Sequence, residues 1–300
     1  VARAEFGAGD TAATATFDLP REVVSRITRL LLVEDPSAGG AALATGAIRR
    51  VEAGIVAPEA DTAVASLTSA RHYLTEAMVP WADVTAGTLG QVLEAEPAAI
   101  LLSDYGEIPP AERSALEDWV QEGGLLVRFA GPRLAAAVSE RFGTAEAGTL
   151  LPVRLRRGGR VLGGALSWSS PKSVGAFPEG TPFRGLSPPE EVDVRTQVLA
   201  DPAPDLESHV WARLDDGTPL VTGREAGEGH VVLFHVTADA EWSSLPLSGL
   251  FVEMLGRLMV LAPGQTPEPP GAEALEGTLW RAEQVIGADG SPRPASDVEA

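Results

Sequence analysis

The sequence predicts an α/β protein built on a mostly parallel sheet with helices on both faces. Two continuous apolar runs, Ala98-Ala99-Ile100-Leu101-Leu102-Ser103-Asp104 and Leu125-Leu126-Val127-Arg128-Phe129, suit central strands buried on both sides. Proline then stands where a helix would open, at Pro109-Pro110 and at Pro132. From about Ala53 onward, strand-like and helix-like segments alternate, which is how sequential strands come to lie parallel in one sheet.

Residues 1–52 read as a β-sandwich-like segment. Ala4-Glu5-Phe6 and Ala13–Phe17 alternate around a Gly7–Asp10 turn, Ile27–Val33 is a further strand, and Asp35–Gly40 is a turn cluster. Ala41–Ala44 and Ile48–Val51 would complete a small sheet. Residues 53–262 form the α/β domain. Gly54–Ala57 is a short strand, Thr62–Met78 a helix, Ala82–Ala86 a strand and Leu89–Glu94 a short helix. The helix opened by Pro109-Pro110 carries Leu116, Trp119 and Val120 as its apolar stripe, and Gly123-Gly124 ends it. Pro132–Phe142 is the next helix.

Residues 148–222 break the rhythm and read as a β-rich insertion that caps one end of the sheet. Val153–Leu162 looks like a hairpin turning at Gly158-Gly159, with Val192–Leu199 and Val210–Leu214 as further strands. Leu220–Thr222 and His230–Val236 return to the core, and Leu247–Leu261 closes the domain as a helix. Glu253 and Arg257 within the apolar run Leu245–Ala262 favour a packed amphipathic helix over a membrane span. Residues 263–300, rich in Pro, Gly, Glu and Ala, read as a linker or tail.

Composition narrows the function. A net charge of −19 disfavours a nucleic-acid backbone as partner. The absence of cysteine removes disulfides, thiolate metal sites and a cysteine nucleophile. The chain opens on Val1 with no signal-like stretch, which reads as a processed form or a fragment. His72, His209, His230 and His235 lack the spacing of a metal motif, and the glycine pairs at 39–40, 123–124, 158–159 and 163–164 do not form a phosphate loop. No cofactor and no metal is expected.

The strand–turn–helix at Leu125–Leu134 is the place where many α/β enzymes present their nucleophile. With the strand His230–Val236 it resembles the class I glutamine amidotransferase-like, flavodoxin-like fold. In that fold a Cys-x-Gly elbow follows one strand, and a catalytic His, followed by Pro-Glu, ends another. Here the corresponding residues are Phe129-Ala130-Gly131 and His235-Val236-Thr237. Gly131 and His235 match, whereas the nucleophile and the acidic orienter do not. The stretches Trp119–Leu134, Asp216–Thr222 and Trp242–Val252 are similar to an uncharacterised family of large bacterial membrane proteins. Its members carry aerotolerance-type N-terminal membrane helices, a von Willebrand A-like region, an amidotransferase-like domain and a C-terminal domain of unknown function. The resemblance implies the middle of such a protein, held at the cell envelope by the parent's membrane helices, with the parent's other domains or envelope proteins as partners.

Parallel strands bring their carboxyl ends to one edge, where ligands bind in such folds. Asp104, Tyr105 and Glu107 follow one strand, Arg128 and Arg133 flank the elbow, and His235, Asp239, Glu241 and Trp242 follow the last strand. The candidate ligand-binding set is Asp104, Tyr105, Arg128, Arg133, His235 and Trp242. If the chain is an enzyme, Asp104, Arg128, His235 and Asp239 are the catalytic candidates, with Ser103 and Ser243 as hydroxyls that His235 could activate. The plainer alternative pairs Arg128 with Asp104 in a structural ion pair and makes His235 a hydrogen-bonded core residue. Trp168, Trp211 and Trp242 read either as core anchors or as a carbohydrate platform. Three functions follow: a non-catalytic module for ligand binding or assembly, a hydrolase with a relocated Asp/Arg/His site, or a carbohydrate-binding module.

Overall fold

A computed structural model describes residues 29–33, 37, 39–43, 51–57, 68–140, 149–161, 170–263, 284–286 and 292–294. The chain divides into two compact units, Val1–Arg49 with Pro267–Ala300, and Arg50–Thr266. In the first unit, Arg29–Leu31 pairs antiparallel with Ala41–Leu43, and Gln284–Ile286 with Pro292–Pro294. The segments expected as strands at 4–6 and 13–17 lie outside the described residues, as does Trp168.

The second unit opens with β1 (Val51–Val56), α1 (Ala70–Met78), β2 (Ala82–Ala86), α2 (Leu89–Glu94), β3 (Ala99–Ser103), α3 (Pro110–Gln121), β4 (Leu125–Phe129) and α4 (Pro132–Glu140). The inserted segment supplies β5 (Leu155–Val161), β6 (Lys172–Ser173), β7 (Asp193–Val194), β8 (Thr196–Ala200), the short α5 (Leu206–His209) and β9 (Val210–Arg213). A hairpin, β10 (Pro219–Ala226) and β11 (Gly229–Phe234), and α6 (Gly249–Leu258) complete the unit.

Seven strands form one sheet in the order β9-β10-β11-β4-β3-β1-β2. Strands β2, β1, β3, β4 and β11 are mutually parallel, which is the flavodoxin-like order, and β10 and β9 extend it antiparallel. The continuous apolar runs do occupy the centre: every residue of β3 and of β4 is buried. Alternate residues face opposite layers. Ile55, Leu101, Val127, Phe129, Val232 and Phe234 pack against α1 and α6. Ile100, Leu102, Leu126 and Val231 pack against α2 and α3.

Local chemistry sets the helix ends. Ser69 caps α1 by accepting the His72 N–H, and Ala70, Leu74, Ala77 and Met78 then form the buried stripe. The part of this helix expected at 62–67 lies outside the described residues. Thr88 and Gln91 form a reciprocal capping box on α2. After α3, Gly123 takes a φ of 118°, which only glycine adopts at no cost, and turns the chain into β4.

Two expectations for the insertion are corrected. Gly158-Gly159 is not a hairpin turn: β5 runs straight through it and pairs antiparallel with β8, with Gly159 opposite Val198. Val192–Leu199 is not one strand, because the Arg195 and Thr196 N–H groups both donate to the Trp242 carbonyl and break it into β7 and β8.

Trp81 lies across α6 at Gly256, where an added Cβ would come within 2.2 Å of the indole. Gly256→Ala is therefore expected to cost about 1–3 kcal/mol through forced repacking, read as a lowered urea midpoint with an unchanged slope. No helix among the described residues is long and apolar enough to cross a membrane.

Candidate functional site

The carboxyl ends of β3, β4 and β11 meet where the sequence placed its candidates. Phe129 ends β4, and Pro132 starts α4, so Ala130 and Gly131 make the corner. The Phe129 ring does not project from that corner. It is buried in the core, stacked on Phe234 at 4.8 Å between ring centres and meeting Phe251 edge-on at 5.9 Å. Strand alternation explains this, since Phe129 shares a face with Leu125 and Val127. The residue that turns the other way at the corner is Ala130, itself fully buried.

Asp104 controls the start of α4. Its carboxylate accepts from the Arg133 N–H at 3.0 and 3.2 Å and from the Leu134 N–H at 3.0 Å. In other enzymes such helix-terminal amides stabilise anions during catalysis. Here the chain's own carboxylate occupies them. Asp104 reaches this position with a φ of 42°, held by its N–H bond to the Phe129 carbonyl. The approach is so close that a Cβ on Gly131 would lie 2.4 Å from the Asp104 carboxyl carbon. Burial raises the Asp104 pKa and the nearby Asp239 charge adds to that, while the two amides and Arg133 oppose it. Asp104→Ala is expected to remove about 1–2 kcal/mol of stability by uncapping α4, and Asp104→Asn less, in paired denaturation curves.

Arg128 is 4 % exposed, and its guanidinium donates to the Tyr105 carbonyl at 2.6 Å and the Leu150 carbonyl at 3.3 Å. Its acceptors are thus backbone groups and not the Asp104 carboxylate, which acts on it only through space. Burial pushes its pKa down to about 10, and the neighbouring Arg113 charge contributes. Its two bonds, to Tyr105 and Leu150, tie two connections to the sheet.

His235 lies just past β11 and is fully buried. Its Nδ1 donates to the Val198 carbonyl at 2.7 Å, which leaves Nε2 to accept from the Thr222 hydroxyl at 3.0 Å. Burial lowers its pKa to about 4, with the Val198 bond opposing. A neutral imidazole with both nitrogens engaged has no lone pair left for a substrate. Asp239 is half-buried and accepts from the Thr237 hydroxyl at 2.8 Å and the Glu241 N–H at 2.9 Å.

The structure therefore brings together Asp104, Arg133 and, by proximity of charge, Asp239, and it joins Arg128 to Tyr105. His235 is enclosed separately. Trp242 is half-buried beside Ala130 and Leu134. Trp211 is half-buried over Gly223 and edge-on to Phe183 at 6.4 Å. Ser243 is fully buried with its hydroxyl unpartnered. Sequence reading missed Thr222 and Val198, the partners of His235. The polar Thr222 inside an apolar return strand was the one available signal. A cavity of about 230 Å³ lies elsewhere, on the α2 face of β1 and β2, lined by Glu52, Gly54, Asp83, Thr85 and Val92 among others. None of the sequence-predicted site residues lines it.

No protein-family model and no curated protein matches the chain. Solved structures do. A cytoplasmic protein from Salmonella typhimurium is similar at a TM-score of 0.50 and 15 % identity, over 71 % of this chain and 99 % of its own. A second, from Salmonella typhimurium LT2, is similar at 0.50 and 17 %, over 70 % and 99 %. A ThuA-like protein from Bacteroides uniformis ATCC 8492 is similar at 0.43 and 14 %, over 71 % and 91 %. At these identities the likeness to the two Salmonella proteins is one of fold alone, and it agrees with the observed flavodoxin-like strand order of a mostly parallel α/β sheet with helices on both faces.

Proposed function

We propose that the α/β unit is a non-catalytic amidotransferase-like module of a membrane-anchored cell-envelope protein, serving ligand binding or assembly with the parent protein's other domains. The observation that carries this reading is the state of the corner at Ala130–Gly131. The strand residue there is a core phenylalanine, the amides of the following helix are taken by Asp104, and the one histidine of the edge is enclosed and neutral. Envelope placement draws on the resemblance of Trp119–Leu134, Asp216–Thr222 and Trp242–Val252 to the membrane-protein family. The test is co-purification from membranes with the intact parent protein. Recovery with the parent's own partners, lost when the unit is deleted, supports the reading. Recovery unchanged by the deletion contradicts an assembly role.

One observation favours a second reading, a hydrolase with a relocated site. Burial mainly raises the Asp104 pKa and the Asp239 charge adds to that rise, so two carboxylates act on one another at this edge. Arg128 and His235 weigh against it, since their polar atoms face inward onto protein partners.

A further inference from the structure

The inserted strands β5 and β8 lie over the corner. Leu151, Leu155 and Val198 from this segment pack with Ala130, Leu134 and Leu233 in a small apolar cluster separate from the two that hold the sheet. Val198 closes on the last parallel strand by a reciprocal pair of bonds: its N–H donates to the His235 carbonyl at 2.9 Å, and its carbonyl accepts from His235 Nδ1. The entry to the segment is held by arginines. Arg224 donates to the Thr149 carbonyl at 2.7 Å and the Leu151 carbonyl at 3.3 Å, and Arg128 takes the Leu150 carbonyl between them. Further along, the Asp201 N–H donates to the Arg154 carbonyl at 2.8 Å, and Gln197 Nε2 donates to the Thr218 hydroxyl at 2.9 Å.

We propose that β5 and β8 form a strap, latched by Arg224 and Arg128, that shuts the carboxyl edge and opens as one unit while the seven-stranded sheet stays folded. The reason is an imbalance of attachment. The sheet strands β3, β4 and β11 are paired on both sides and buried in two large clusters. The strap rests on a satellite cluster and a few polar ties, and Arg224, its outer latch, is only half-buried. β8 is itself buried from Gln197 to Ala200, but β5 and β8 form a two-stranded sheet of their own on that small cluster, and an element held outside the main clusters opens at lower free energy than the core does. Opening uncovers Ala130, Gly131 and the His235 ring together, because Val198 touches both the small cluster and the imidazole. Any ligand or partner that uses this edge then competes with the strap, whether or not the edge retains chemistry.

Hydrogen–deuterium exchange on the whole chain tests this. Amides of Thr196–Ala200 should exchange at least ~10-fold faster than those of Leu125–Phe129, by opening short of global unfolding. Arg224→Met, which keeps the aliphatic stem and removes the latch, should speed the strap amides a further ~10-fold and leave β3 and β4 unchanged. Ala130→Val, which enlarges the residue beneath the strap, should act in the same direction. Strap amides that exchange in step with β4, or variants that speed all strands alike, would overturn the proposal. If either variant fails to fold, the wild-type comparison decides alone.

Discussion

Phe129→Ala is expected to destabilise the α/β unit by about 3–5 kcal/mol, the range for removing a fully buried aromatic ring. The ring fills the space between Phe234 on the neighbouring parallel strand and Phe251 on α6, so its loss leaves a cavity walled by two other large side chains. Those walls belong to a strand and a helix and can collapse only in part. Urea denaturation followed by tryptophan fluorescence reads the effect. The companion variant Phe129→Cys separates packing from chemistry. A thiol at this position should resist an aqueous thiol reagent until the protein unfolds, because the side chain faces the core and not the corner. Rapid labelling in the folded state would mean that the ring's place is open to solvent.

Acid should weaken the fold through His235. Its folded pKa of about 4 lies below the ordinary value of 6.5, so the unfolded chain binds the proton more readily. Stability is therefore full above about pH 6.5, falls as pH drops toward about 4, and has no further loss from this group below that. The shift corresponds to up to about 3 kcal/mol. Denaturation series from about pH 7 down to about pH 4.5 should show a decline in wild type that is shallower in His235→Gln, since the amide does not titrate. Equal slopes in the two proteins would mean that the imidazole is already solvated. Thr222→Val should lower stability at neutral pH by about 1–2 kcal/mol by leaving Nε2 without a donor.

Much of the sheet was legible because its strands are short, apolar and bounded by proline and glycine. Ala98–Asp104 and Leu125–Phe129 admit no helical stripe, and Pro110 and Gly123 bracket the helix between them. The insertion was less legible because its pairing is non-local. Gly158-Gly159 carries turn chemistry, yet the partner that makes it strand is Val198. The site was legible as a location and not as a set of bonds. That Asp104, Arg133, Arg128 and His235 gather at one edge follows from parallel topology. That Asp104 caps a helix begun some thirty residues later, and that Arg128 binds carbonyls, depends on backbone groups that a residue pattern does not reveal. Phe129 shows the same limit. In the amidotransferase-like resemblance its position corresponds to the nucleophile, but the strand's alternation turns its side chain into the core.

Steady-state turnover of L-glutamine and of an activated ester by the purified chain, run beside His235→Gln and Asp104→Ala, is the most direct measurement of whether this edge does chemistry. The expected result is no turnover above buffer for wild type and both variants, consistent with a corner whose amides and imidazole are already engaged within the protein. Turnover by wild type that disappears in either variant would contradict it.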